Sequence, residues 1–513
     1  GRSSDANLPI VIVEDKEHTG GLYLGIIWSG DWYMTFFKRK NGDYHIAGGM
    51  TFLDLLLEPG ETVSLPKILA GAYAGDFDAG CNAVRRYIYD TCICRFPEDQ
   101  RIPPVSFDHW FTYAANINEE LMMHLAGGVE GLGVEYFVMD AGWYYNESKD
   151  VFDFQMGTGN YTRVDEKKFP RGLKPLYDHV KARGFKGGLW FEPERSGPNS
   201  IIAREFPEAM LKTDRGGDHI HASHYYLVDL GNPRVVAYTK NYLKHYFEEL
   251  GLRWIRWDFN INPRHYWAEA DRPGRRGERE LAHIHALYDL LEWVNREYPQ
   301  VLIEGCASGG NRIDLGTLRH SPVFWCSDQA HNSHIDRWQL AAGNRILPGI
   351  VLNRSLTPLL PQGEDIPDLY FQEHFGGSFA INDPVHCWSE ETRRRCVNHI
   401  EVYKKLREFI CRDYYRLLTL PAKIEDPSAW EFINPETQRG FFQIFRTEGE
   451  ETLRVSLKGL TGVAYTLIDP YTGQRDTKSG ASLKAGLEFR LGPYSSVVRL
   501  FEPDAVSGPG LKT

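Results

Sequence analysis

Trp254-Ile255-Arg256-Trp257-Asp258 is a short apolar run that ends in an acid. A helix patterned over residues 278–297 follows it, and then a second such run, Val301-Leu302-Ile303. The helix carries Leu281, Ile284, Leu287, Leu291 and Val294 on one face at helical spacing. Strand, amphipathic helix and strand make the crossover unit of a parallel sheet. The rhythm extends upstream through Val105-Ser106-Phe107-Asp108-His109-Trp110, a helix from Asn118 to Gly131, Tyr136-Phe137-Val138-Met139-Asp140, and a strand over 185–191 that ends in Glu192-Pro193-Glu194. Residues 234–250 form a further helix, with Val235, Tyr238, Tyr242, Tyr246 and Leu250 facing in. Downstream, Val323-Phe324-Trp325, Ile350-Val351-Leu352 and Ser378-Phe379-Ala380-Ile381 supply strands six to eight. Eight short buried strands with helical crossovers predict a (β/α)8 TIM barrel, class α/β, with a doubly wound open sheet as the competing layout.

The flanks read as β structure. Residues 8–100 hold short β-rich runs such as Ile10-Val11-Ile12-Val13 and a helix near 77–90, and Cys92 and Cys94 fit a strand face. After residue 418 the helical pattern stops, and runs at 441–445, 453–457, 463–467 and 496–500 predict a small antiparallel sandwich. The expected division is an N-terminal β region (1–100), a catalytic barrel (101–415) and a C-terminal β-sandwich (416–513).

Composition narrows the function classes. The 513 residues include 58 Lys+Arg and 69 Asp+Glu, a formal net charge of -11, which speaks against a nucleic acid or an anionic membrane as partner. With 42% apolar residues the chain can bury a core, so disorder is not its theme. No apolar run approaches the roughly 18 residues that would span a bilayer. Eight cysteines without a CxxC pair read as free thiols of a reducing compartment. The opening Gly1-Arg2-Ser3-Ser4 shows no signal-peptide pattern, so the cytoplasm is favoured, with secretion open if the chain was processed. Aromatics reach 13%, enough either to stack on sugar faces or simply to fill a large core.

Chemistry in a barrel gathers at the C-terminal ends of its strands. Here those ends deliver Asp140, Glu192, Glu194, Asp258 and Asp328, beside Trp143, Trp190, Trp257 and Trp325. A lone Asp after a strand is usually a cap or turn former. Four acid-ended strands converging on one mouth fit a glycosidase, which needs one ionised and one protonated carboxyl. Spacing alone does not choose the pair.

Five strings resemble glycoside hydrolase family 36, in family order along roughly residues 100–385: Asp140-Ala141-Gly142-Trp143, Trp190-Phe191-Glu192-Pro193-Glu194, Arg256-Trp257-Asp258-Phe259-Asn260, Cys306-Ala307-Ser308-Gly309-Gly310-Asn311-Arg312-Ile313-Asp314 and Trp325-Cys326-Ser327-Asp328. That family comprises α-galactosidases and α-N-acetylgalactosaminidases, with plant raffinose-type synthases as relatives. The resemblance implies a retaining double displacement with Asp258 as nucleophile and Asp328 as acid/base, their carboxyls about 5–5.5 Å apart. It implies sugar contacts from Asp140, Trp143, Trp190, Arg256, Cys306, Gly309 and Trp325. It implies no cofactor and no metal, an oligosaccharide or glycoconjugate substrate, and a possible homo-oligomer.

Three departures from the family pattern stand out. Asp140-Ala141 replaces two consecutive Asp, Arg256 replaces a Lys, and a usual Arg before Val228-Asp229-Leu230 is absent, with Ser223 and His224 in its place. His224 is therefore a candidate substrate contact, and a modified galactoside such as an α-galactosaminide is an alternative substrate. A galactosyl-transferring enzyme and a non-catalytic sugar-binding protein are the rival functions. The string Asp218-His219-Ile220-His221 has ligand-rich spacing but reads better as a polar loop than as a metal site. Glu192, Glu194, Arg312 and Asp314 are expected to brace the site, and His331-Asn332-Ser333-His334 to shape the aglycone side or cap the next helix.

Overall fold

A computed structural model of the protein describes residues 2–93, 101–148, 153–215, 225–358, 360–361 and 364–504. Eight parallel strands close into a barrel: β1 (Val105–Asp108), β2 (Tyr136–Met139), β3 (Lys186–Phe191), β4 (Trp254–Trp257), β5 (Leu302–Gly305), β6 (Val323–Trp325), β7 (Leu352–Leu356) and β8 (Ser378–Ile381). Ring order follows chain order and β8 returns to pair with β1, which excludes the open sheet. Only Lys186 of these strands is exposed. Burial on both faces is why most of them read as continuous apolar runs. The register sets Arg256 level with Trp190 on β3 and Glu304 on β5, so these three share one layer inside the barrel.

β7 departs from the expected position. Gly349–Val351 is a single turn of 3-10 helix, and the strand begins at Leu352. Asn353, Arg354 and Ser355 hide it from an apolar-run reading. These polar residues are buried because they have partners: Asn353 Nδ2 donates to Glu304 at 2.7 Å and Arg354 Nε to Asp336 at 2.6 Å. Cys92 also corrects the sequence reading. It ends a wide helical turn, Ile88–Cys92, that continues helix α1 (Phe77–Tyr87), and so lies on no strand face; Cys94 falls outside the described residues.

Before the barrel, Ile10–Glu14, Gly20–Ile27 and Lys67–Ala74 form an antiparallel sheet beside a hairpin of Trp32–Lys38 and Tyr44–Met50. Ile26, Trp28 and Met50 pack with Leu281 and Ile284 of helix α2 (Glu278–Glu297), which joins this region to the barrel wall. After the barrel, six antiparallel strands between Asp413 and Pro503 form one sheet, and Thr452–Val455 pairs with Leu487–Arg490 in a second layer. Phe442 and Ile444 of the first layer and Leu453 and Val455 of the second share one buried cluster. No helix among the described residues is long and apolar enough to cross a membrane.

Arg85 fastens α1 to the barrel. Its Nη1 donates to the carbonyls of Asn344 and Leu347, and its Nη2 to those of Ile410 at 2.9 Å and Arg412 at 2.8 Å. Burial draws its pKa down to about 10, which leaves it charged at neutrality. Arg85→Met keeps the volume but strips the Asn344, Leu347 and Arg412 carbonyls of the Arg85 donor, and should cost about 3–5 kcal/mol in a urea titration. A loss below about 1 kcal/mol would contradict this account.

Candidate active site

The mouth of the barrel opens into a cavity of about 480 Å³. Asp140 follows β2, Asp258 follows β4 and Asp328 follows β6 by three residues, and all three line it. Their settings differ. Asp258 is 7% exposed and accepts three hydrogen bonds: Phe259 N–H to Oδ1 at 2.7 Å, and Asn260 Nδ2 and Trp190 Nε1 to Oδ2 at 2.6 and 3.1 Å. Asp328 stands at the rim, open to water on one side and crowded by protein on the other, and accepts one side-chain bond, from Trp325 Nε1 at 3.0 Å. Crowding and the like charge of Asp258 raise its pKa above the ordinary carboxylate range. One carboxyl is thus oriented by three donors, and its neighbour is biased towards the protonated form.

Beneath them the charges are bound into a network. Arg256 reaches Asp108 Oδ2 through Nη1 at 2.9 Å, Glu304 through Nε at 2.8 Å and Asp140 through Nη1, and its plane lies over the Trp325 ring. Burial first, and then the charge of Asp108, push the Asp140 carboxyl well above its usual range, against the pull of Arg256. His109 accepts the Asp140 backbone N–H on Nε2 at 2.9 Å; burial, helped by Arg256, lowers its pKa to about 3, so the ring is neutral. Glu192 and Glu194 do not line the cavity. Glu192 pairs with Arg195 at 2.6 Å, and Glu194 is gripped by both terminal nitrogens of Arg312 at 2.8 Å and by His283 at 2.9 Å. These two acids and Arg312, expected to brace the site, are thus paired outside the lining. Asp314 accepts from Ser3, Ser29 and Thr317, and Asn332 caps the helix at 333–343 through His334 N–H.

Of the residues expected to contact sugar, Trp190, Arg256, Cys306 and Trp325 line the cavity. Burial and the two acids raise the Cys306 thiol well above its usual range, so it is a neutral wall group and no nucleophile. Trp143 corrects the expectation. It is fully buried behind the wall, donates through Nε1 to the Trp190 carbonyl at 3.1 Å, and packs edge-on against Tyr144, Phe191 and Tyr246. It packs behind Trp190 and is absent from the lining. Gly309 is likewise absent from the lining. Its φ of +82° and its close approach allow the loop to pass the next strand end: a Cβ there would lie 2.9 Å from Ser327 Cα. His224 and the loop from residue 218 lie outside the described residues.

Several lining residues were not singled out from the sequence. Trp110 and Phe111 lie on a short helix after β1, and Phe111 stacks on Trp325 with ring centroids 5.3 Å apart. Gln155 lies on a single turn of 3-10 helix capped by Phe154, and Arg195 on a two-residue strand. Asn260 relays order from Ser308, whose N–H and Oγ both donate to its Oδ1 at 3.0 and 2.8 Å, to Asp258. The place of Asn260 two positions after an acid at a strand end was the available signal. Among the described residues, no group of three His, Cys, Asp or Glu is arranged to hold a metal ion.

The family model described as Melibiase matches residues 82–412. The α-galactosidase AgaA of Geobacillus stearothermophilus is 24% identical over 474 residues, which cover 90% of this chain and 64% of AgaA. An α-galactosidase of Escherichia coli is 29% identical over 352 residues, 67% of this chain and 47% of that protein. The chain therefore spans about half to two thirds of the length of these relatives. A crystal structure of AgaA in complex with raffinose has the same fold, with a TM-score of 0.84 at 22% identity over 96% of this chain and 69% of that one.

If the two acids feel each other as their placement implies, Asp258→Asn should lower the titration midpoint of Asp328, because the repelling charge is gone. Carbon-13 NMR of labelled Asp carboxyls measures this. A midpoint that stays put or rises would mean the groups are uncoupled.

Proposed function

The chain belongs to the melibiase family, and on that footing we propose that it is a retaining exo-α-galactosidase, with Asp258 as nucleophile and Asp328 as general acid and base. The observation that carries the reading is the unequal dressing of two carboxyls in one cavity. Asp258, its carboxylate oriented by three donors, attacks the anomeric carbon. The bond to the leaving oxygen breaks as Asp328 passes it a proton, which leaves a β-linked glycosyl-enzyme. Asp328, now a carboxylate, takes a proton from water, and that water attacks the anomeric carbon and frees the sugar with its original configuration.

The surroundings support a galactose-type glycone. Asp140 and Arg256 put an acceptor and a cation side by side at the cavity floor, a pair that an axial hydroxyl can satisfy and an equatorial one would leave unmatched. Small Cys306 and Ser308 leave room at C2. Trp190, Trp325 and Phe111 offer aromatic faces for the sugar and its leaving group. The relative crystallised with raffinose supports a galactosyl oligosaccharide as substrate.

Asp258→Asn should abolish turnover of aryl α-galactosides while the fold survives; near wild-type activity would end the assignment. Asp328→Ala should lower kcat about 10²–10⁴-fold on poor leaving groups and far less on activated aryl ones, with partial rescue by azide. Equal losses on both would argue against an acid role. Because the first step needs Asp328 protonated, kcat/KM should fall as pH rises through its raised pKa, and NMR should show the α-anomer as first product.

A further inference from the structure

We propose that Gln155, on the connection between β2 and β3, is a substrate-binding residue whose side-chain amide N–H donates to a hydroxyl oxygen of the bound galactosyl unit. The inference rests on the α-galactosidase reading and adds to it a donor from outside the strand ends.

The turn that carries Gln155 is fastened on both sides. Asp153 Oδ1 accepts from the N–H groups of Gln155 and Met156 at 3.2 and 3.4 Å, and the Tyr144 hydroxyl donates to the Phe154 carbonyl at 3.1 Å. Thr158 Oγ1 donates to the Gln155 carbonyl at 2.7 Å, and the Thr158 carbonyl accepts from Gly197 N–H at 2.9 Å, next to the short strand Arg195–Ser196. Gln155 is partly buried and lines the cavity. Arg195 orients its side chain, since Arg195 Nη1 donates to Gln155 Oε1 at 2.8 Å. A guanidinium can only donate, so the carbonyl end of the amide is committed to Arg195 and the Nε2 end, with its N–H donors, is turned away from it. No protein group among the described residues accepts from Nε2.

Arg195 is itself tied to the reacting centre. Its Nη2 donates to Glu192 Oε2 at 2.6 Å, Glu192 Oε1 accepts from Asn260 N–H at 2.5 Å, and Asn260 Nδ2 donates to Asp258 Oδ2 at 2.6 Å. Gln155 is thus held in register with Asp258 through a continuous chain of side chains. Its neighbour Phe154 stands edge-on to Trp190 and Trp110, with ring centroids 5.9 and 4.9 Å apart. A pyranose that lays its C–H face on such a wall sends its hydroxyls past the ring edges, where a fixed amide donor can meet one of them.

Aryl α-galactosides from which the hydroxyls at C2, C3, C4 and C6 are removed one at a time locate the bond. Gln155→Met keeps the length of the side chain and loses the amide. On the parent glycoside it should lower kcat/KM roughly tenfold, chiefly through KM. On the one deoxy analogue that lacks the accepting oxygen, the same change should cost less than about twofold, because wild type and variant then miss the same bond. A residue that merely props the turn would lose equally on every substrate, and that pattern, or no loss on the parent, overturns the inference. Should Gln155→Met fail to fold, Gln155→Asn keeps the amide and withdraws it by one methylene, and the same single exemption is expected. A wild-type protein that cleaves no aryl α-galactoside overturns the functional reading instead.

Discussion

Taking many carboxylates out of water at one end of a barrel is the constraint on which the rest of this structure depends. Asp108, Asp140, Glu192, Glu194, Asp258 and Glu304 are each 7% exposed or less. An isolated buried carboxylate is too costly to persist, so each must be paired, supplied with donors or neutralised. Arg256 answers for three of them at once. It does so because a guanidinium is a planar fork: Nη1 turns to Asp108 and Asp140 while Nε turns to Glu304. An ammonium, a compact point charge, has no such span. Glu192 and Glu194 take their own arginines, Arg195 and Arg312. Asp328 stands outside these pairs with Trp325 Nε1 as its side-chain donor, and crowding with the like charge of Asp258 biases it towards the protonated form.

The aromatic residues divide along the same front. Trp110, Phe111, Phe154, Trp190 and Trp325 face the cavity. Trp143, Tyr144, Tyr161, Phe191 and Tyr246 stand behind them in edge-to-face and tilted contact. The compositional excess therefore serves both purposes, with the rear rank holding the front rank still.

Most of the barrel was legible because buried parallel strands are written as apolar runs and the helices between them keep their period. The acids at β2 and β4 were legible for the same reason, since a strand end marks where a polar side chain meets the mouth. What escaped lacked a period or broke one. β7 carries Asn353 and Arg354 inside the barrel, and only its partners Glu304 and Asp336 make that tolerable. Phe154, Gln155 and Arg195 reach the cavity on or beside elements of two or three residues, too short to show a period. Trp143 was misplaced because the chain reverses at Gly142, where φ is +109° and a Cβ would meet Ala115 Cα at 2.8 Å, so the next side chain swings behind the wall. Spacing could not rank Glu194 below Asp258, since each follows a strand; the grip of Arg312 and His283 on Glu194 does.

The hydrogen bond between Ser3 and Asp314 joins residues 311 positions apart. On the ribosome, at about 5–20 residues per second, the earlier partner must wait roughly 15–60 s for the later one to be synthesised. During that interval Ser3 has no loop to hold. This corner of the mouth thus stays open until the loop after β5 has emerged.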